Sequence, residues 1–133
     1  MFFSLIKPVY AHCDVPCGIY ETDTMTHAAA TCLRMIEKIE ALGEVDSLEK
    51  QNNFARAVAT KEKHAQKVKH EVYVLWSDYF KPEHLEKFPE LHDTLWQAAK
   101  QASKVKQTVS ADECKLLIEK VQAVSDLFAK SKQ

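Results

Sequence analysis

Apolar residues recur in this chain at alternating steps of three and four in four separate segments. Met25, Ala29, Cys32, Ile36 and Ile39 form the first seam, preceded by the N-cap candidates Thr22, Asp23 and Thr24 and closed by Gly43. Asp46 with Glu49 three positions later reads as a capping box opening a long second helix, whose apolar face is Phe54, Val58, Ala65, Val68, Val72, Leu75 and Tyr79. Lys61 alone interrupts that stripe. Pro82 and Pro89 each fit the first turn of a helix, where a missing N–H costs nothing, so bends are expected near Lys81 and Phe88. Leu91, Leu95, Ala98, Ala102 and Val105 make a third seam; Ser110 with Glu113 caps a fourth, built on Cys114, Leu117, Val121, Val124 and Phe128. Four such seams joined by short loops predict an all-α fold, an antiparallel four-helix bundle over residues 22–133.

Composition supports one domain of that kind. The 133 residues are 46% hydrophobic, enough for a core without external staples, and only two Gly and four Pro interrupt them. The 18 basic and 19 acidic side chains nearly cancel, which argues against nucleic acid or an anionic membrane surface as a partner. No stretch approaches the roughly 18 to 20 apolar residues of a membrane span. Two of the four cysteines, Cys32 and Cys114, sit at core spacing, which fits a reducing, cytoplasmic setting better than a disulfide framework.

The segment before the first helix does not follow the bundle pattern. His12-Cys13-Asp14-Val15-Pro16-Cys17-Gly18-Ile19-Tyr20 gathers an imidazole, two thiols and two turn-forming residues into residues 12–20, an N-terminal metal-binding hook. Residues 1–11 end in Ala11, are interrupted by Pro8 and fall short of a secretory signal, so they read as a cleavable leader, or propeptide, removed by a processing protease. Cutting the Ala11–His12 bond leaves a single domain of residues 12–133. It also brings together a free α-amine, the Cys13 amide nitrogen, the Cys13 and Cys17 thiolates and the His12 imidazole. An amine, an amide and two thiolates close a planar N2S2 square that suits Ni(II) or Cu(II) better than tetrahedral zinc. An axial imidazole would favour the oxidised Ni(III) state. Pro16 constrains the loop and Gly18 lets the backbone turn away. From these residue types alone a small disulfide loop, or a Cu(I) or Zn carrier that uses His-Cys-x-x-x-Cys without turnover, remains an alternative.

The hook closely resembles that of the nickel-containing superoxide dismutases. A second run, Val74-Leu75-Trp76-Ser77-Asp78-Tyr79-Phe80-Lys81-Pro82, followed by His84, Phe88-Pro89-Glu90-Leu91 and His92, is similar to the same family. The resemblance covers essentially the whole chain. It implies a superoxide dismutase that disproportionates superoxide to O2 and hydrogen peroxide through a Ni(II)/Ni(III) cycle, with one nickel per subunit and six subunits in a homohexamer. It implies as ligands His12 (amine and axial imidazole), Cys13 (amide and thiolate) and Cys17 (thiolate). It places Tyr20 and Tyr79 as pocket phenols that order water or the incoming anion, with Asp14 and Asp78 beside them. Some members hold the axial imidazole with a carboxylate and an arginine; by ungapped counting those positions are Ala28 and His64 here, which makes His64 a candidate partner of His12. His27, His70, His84 and His92 are expected to be solvated or capping. Trp76 and Trp96 are expected in packing or an interface.

Overall fold

The computed structural model describes residues 17–133, and their regular structure is entirely helical: α1 (Asp23–Ala41), α2 (Leu48–Val74), a π-helical turn (Leu75–Tyr79), α3 (Pro82–Lys87), α4 (Leu91–Gln107) and α5 (Ala111–Ser131). The leader and His12, Cys13, Asp14 and Pro16 lie outside the described residues. The four expected helices are present as α1, α2, α4 and α5, with the short α3 added in the connection.

Helix ends follow local chemistry, in three places differently from expectation. α1 is capped by the carboxylate of Glu21, which accepts the Thr24 N–H at 2.9 Å and the Thr24 hydroxyl at 2.5 Å. Thr22 instead turns its hydroxyl to Ser125 of α5, 2.8 Å away. α1 ends at Gly43, whose φ of +62° is the left-handed conformation that glycine adopts without strain. The cap of α2 is Ser47 rather than Asp46: the Ser47 backbone is extended and its hydroxyl accepts the Lys50 N–H at 3.2 Å. Asp46, one residue further out, pairs with the Lys50 ammonium at 3.2 Å. Pro82 does open α3. Pro89 lies before α4, not in its first turn: the Leu91 N–H donates to the Phe88 carbonyl at 3.0 Å, and Glu90 at φ −80°, ψ 1° completes a type I turn with proline at its second position.

The helices stand at four corners, with α1 and α4 each packed against both α2 and α5, and α3 against α4. Hydrogen bonds record the antiparallel register of α2 and α4, from Trp76 to His92 (2.9 Å) through Lys69 to Ser103 (2.7 Å) to Lys106 with Gln66 (2.8 Å). Every seam residue named for α1, α4 and α5 is buried. On α2 Ala65, Val68, Val72 and Leu75 are buried, while Phe54 and Val58 pack half-buried on the core. Cys32 and Cys114 are core residues; burial pushes their thiols up to about 12 and about 11.

Lys61, the interruption in the α2 stripe, is 1% exposed. Its ammonium donates to the carbonyls of Val105 (2.8 Å), Lys106 (3.0 Å) and Thr108 (2.5 Å). A helix leaves its last carbonyls without intrahelical donors and carries partial negative charge there, so Lys61 caps the C-terminus of α4 from a neighbouring helix.

Candidate metal centre and tyrosine pocket

The start of α1, the end of α2 and the end of α5 meet at one end of the bundle. The described end of the hook, from Cys17 to Tyr20, lies there. Cys17 is exposed, and its sulfur accepts the Ile19 N–H at 3.4 Å across Gly18, which sits at φ +72°. A Cβ added to Gly18 would meet nothing within 4 Å, so glycine is required by backbone conformation and not by crowding. Ile19 then stands 72% exposed, and Tyr20 turns inward onto the core.

Tyr20 meets Tyr79 with ring centroids 5.4 Å apart. Tyr79 is delivered by the π-helical turn: the Phe80 N–H reaches back five residues to the Leu75 carbonyl at 2.9 Å, widening the last turn of α2 just before the chain becomes extended at Phe80. Such a turn re-aims the side chains it carries. The Tyr79 ring is enclosed by Phe128 (4.8 Å), Phe80 (4.9 Å) and His84, which lies nearly parallel at 5.4 Å and 12°. Its hydroxyl is 2.7 Å from the Ser131 hydroxyl. His84 is held in turn, because its Nδ1 accepts the Lys81 N–H at 3.0 Å.

Of the residues singled out from sequence, the structure therefore brings together Cys17, Tyr20 and Tyr79 at one end. Asp78 is exposed, with its carboxylate 3.1 Å from the Ser77 hydroxyl. His64 stands apart. It is half-buried within α2, bonded through Nδ1 to the Thr60 carbonyl at 2.9 Å, and fifteen residues along the helix from Tyr79, about 20 Å at 1.5 Å per residue. Ala28 is buried on α1. His84 caps α3, as expected of it, whereas His92 accepts the Trp76 indole N–H at 2.9 Å, a bond the sequence did not announce. Sequence reasoning missed Ser131, Phe128 and His84 as the walls of the Tyr79 site. Only the position of His84 two residues after Pro82, where its ring can reach back to the Lys81 N–H, offered a signal.

Among the described residues no three histidine, cysteine, aspartate or glutamate side chains converge as a metal site. The donor chemistry present still fits a soft or borderline metal: an exposed thiol, oriented by an amide N–H, in a loop that glycine allows to turn sharply.

Fold and site together define an antiparallel four-helix bundle that carries an N-terminal cysteine loop against a pair of phenols. The family model for nickel-containing superoxide dismutase matches residues 7–132, taking in the hook and every helix. This chain belongs to that family. It is 35% identical over 125 residues to the superoxide dismutase [Ni] of Streptomyces seoulensis, a match covering 94% of this chain and 91% of that protein. The enzyme of the same name from Streptomyces coelicolor is 34% identical over 126 residues, with the same coverages. Among solved structures, native nickel superoxide dismutase superposes with a TM-score of 0.81 at 34% identity, covering 92% of this chain and 100% of that one. A nickel-containing superoxide dismutase with the ligation of the oxidised state gives 0.80 at 35% identity, over 91% and 98%.

Proposed function

We propose that this chain, once its leader is removed, disproportionates superoxide at a nickel centre built on its own N-terminus. The observation that carries the reading is the exposed Cys17 loop set against Tyr20 and Tyr79, in a chain whose family is defined by nickel and superoxide. The residues that would hold nickel are His12, through its freed amine and its imidazole, Cys13, through its amide nitrogen and thiolate, and Cys17, through its thiolate. When bound, nickel supplies a one-electron couple that accepts an electron from one superoxide and returns it to the next, with two protons consumed per hydrogen peroxide formed.

The chain's own tasks are positional. Gly18 turns the backbone sharply just after Cys17, and the Ile19 N–H donates to the Cys17 sulfur and orients it. Tyr20 and Tyr79 line the approach and order what enters it. His64, about four turns down α2 from Tyr79, is the candidate partner of the His12 imidazole. A cytoplasmic location agrees with the reduced core thiols, and among the described residues no helix is long and apolar enough to cross a membrane. The comparisons lend no support to a non-catalytic Cu(I) or zinc carrier.

The test is the decay of superoxide after pulse radiolysis. A nickel-loaded chain beginning at His12 should accelerate it toward the diffusional ceiling of about 10⁹ M⁻¹s⁻¹, while the same chain beginning at Met1, or carrying Cys17→Ser, should leave spontaneous decay unchanged. Equal activity from the Met1 chain would refute the role of the amine. Inactivity of the nickel-loaded His12 chain would refute the function.

A further inference from the structure

The phenol proton of Tyr79 has a fixed direction. Ser131 Oγ lies 2.6 Å from the Phe128 carbonyl oxygen and 2.7 Å from the Tyr79 hydroxyl. A hydroxyl carries one proton and a carbonyl can only accept, so the Ser131 proton goes to Phe128. With that proton placed on the carbonyl, the short contact between the two hydroxyls is bridged by the proton of Tyr79. The ring cannot swing to another partner, because Phe128, Phe80, His84 and Tyr20 surround it with centroids at 4.8, 4.9, 5.4 and 5.4 Å.

We infer that Ser131 is a positioning residue that takes up the Tyr79 proton, so that Tyr79 offers the pocket only oxygen lone pairs. It accepts hydrogen bonds from water and from hydrogen peroxide, and does not donate one to the superoxide anion. The inference rests on the pocket role proposed for Tyr79 above. It separates the two phenols, since an acceptor-only group beside the site disfavours a lingering anion and favours the protonated product. Removing the Ser131 hydroxyl frees the Tyr79 proton for any anion that enters.

Two measurements on the processed protein test this. In Raman spectra the tyrosine Fermi doublet distinguishes a donating from an accepting phenol, and subtracting the Tyr79→Phe spectrum isolates Tyr79 without requiring turnover. Wild type should show the donor pattern, Ser131→Thr should keep it and Ser131→Ala should lose it. With the nickel-loaded enzyme, azide serves as the anion probe. A hydrogen bond newly given to a charged group should tighten azide inhibition roughly tenfold in Ser131→Ala, not in Ser131→Thr, and adding Tyr79→Phe should cancel the gain. An acceptor pattern in wild type, or a Ser131→Ala protein indistinguishable from wild type by Raman or by azide, overturns the inference. A donor pattern in a protein without dismutase activity supports the proton direction and counts against the function instead.

Discussion

Replacing Lys61 with methionine keeps an unbranched side chain of similar length in the core and deletes only the charge and its donors, so packing changes little. What is lost is the cap on α4: three carbonyls, at 2.8, 3.0 and 2.5 Å from the ammonium, lose their donor in a place where the lysine is 1% exposed. A hydrogen bond to a charged group is worth about 1.5–3 kcal/mol when measured by deletion. The three share one ammonium, and relief of its desolvation offsets part of the loss. Methionine leaves no charge behind, only neutral carbonyls without a donor, at about 1–3 kcal/mol for each such group when buried, and with that offset we expect Lys61→Met to cost about 3–5 kcal/mol. At a few degrees per kcal/mol for a chain of this size, the melting midpoint should drop by about 10–20 °C. Urea unfolding followed by circular dichroism checks the magnitude, and an unchanged m value would confirm a loss of stability and not of compactness. Hydrogen exchange at Thr108, whose N–H donates to the Val105 carbonyl at the capped end, should accelerate more than exchange in α1. A Lys61→Met protein as stable as wild type would refute the reasoning, since it would mean that desolvating the ammonium costs as much as its three bonds return.

Three smaller outcomes follow from the same geometry. Burial holds Cys32 and Cys114 up to about 12 and about 11 against 9.0 in the unfolded chain, so the unfolded state loses these protons first. Stability should be independent of them below about pH 9 and fall as pH rises toward 12; urea titrations should show less of that fall in a Cys32→Ala, Cys114→Ala protein, and an identical alkaline slope would contradict the assignment. Gly18→Ala places a Cβ at φ +72°, costing about 1–2 kcal/mol; nickel affinity measured by competition should weaken by up to roughly tenfold, and unaltered affinity would show that the loop does not need its left-handed turn. Ser47→Ala should cost about 1 kcal/mol by loss of the Lys50 N–H bond, whereas Asp46→Ala should cost a few tenths, because its ion pair is exposed; equal losses in urea melts would return the cap to Asp46.

Much of the bundle was legible in the sequence because burial imposes a period. Every three- and four-step position named on α1, α4 and α5 is buried, since only a residue on that face can reach the shared core. Helix ends were legible to within about a residue: competing caps such as Asp46 and Ser47 differ by less than a kilocalorie, and the extended backbone at Ser47 decides between them. The π-helical turn carried no such signature, because its five-residue hydrogen bond arises where α2 must hand over to an extended Phe80. Lys61 was visible as an interruption, but its meaning depends on α4 ending against it, 44 to 47 residues away. The same applies to Tyr79 and Ser131, 52 residues apart. The Cys17–Tyr20 loop and Tyr79 were found by motif, and the distance of His64 from Tyr79 follows from their fifteen-residue separation on one helix.

Native mass spectrometry of the purified protein with its metal retained tests the central claim most directly, because it reports leader, metal and stoichiometry in one spectrum. The account predicts a chain beginning at His12 with one nickel per subunit. A chain that retains Met1–Ala11 and carries copper or zinc would contradict it.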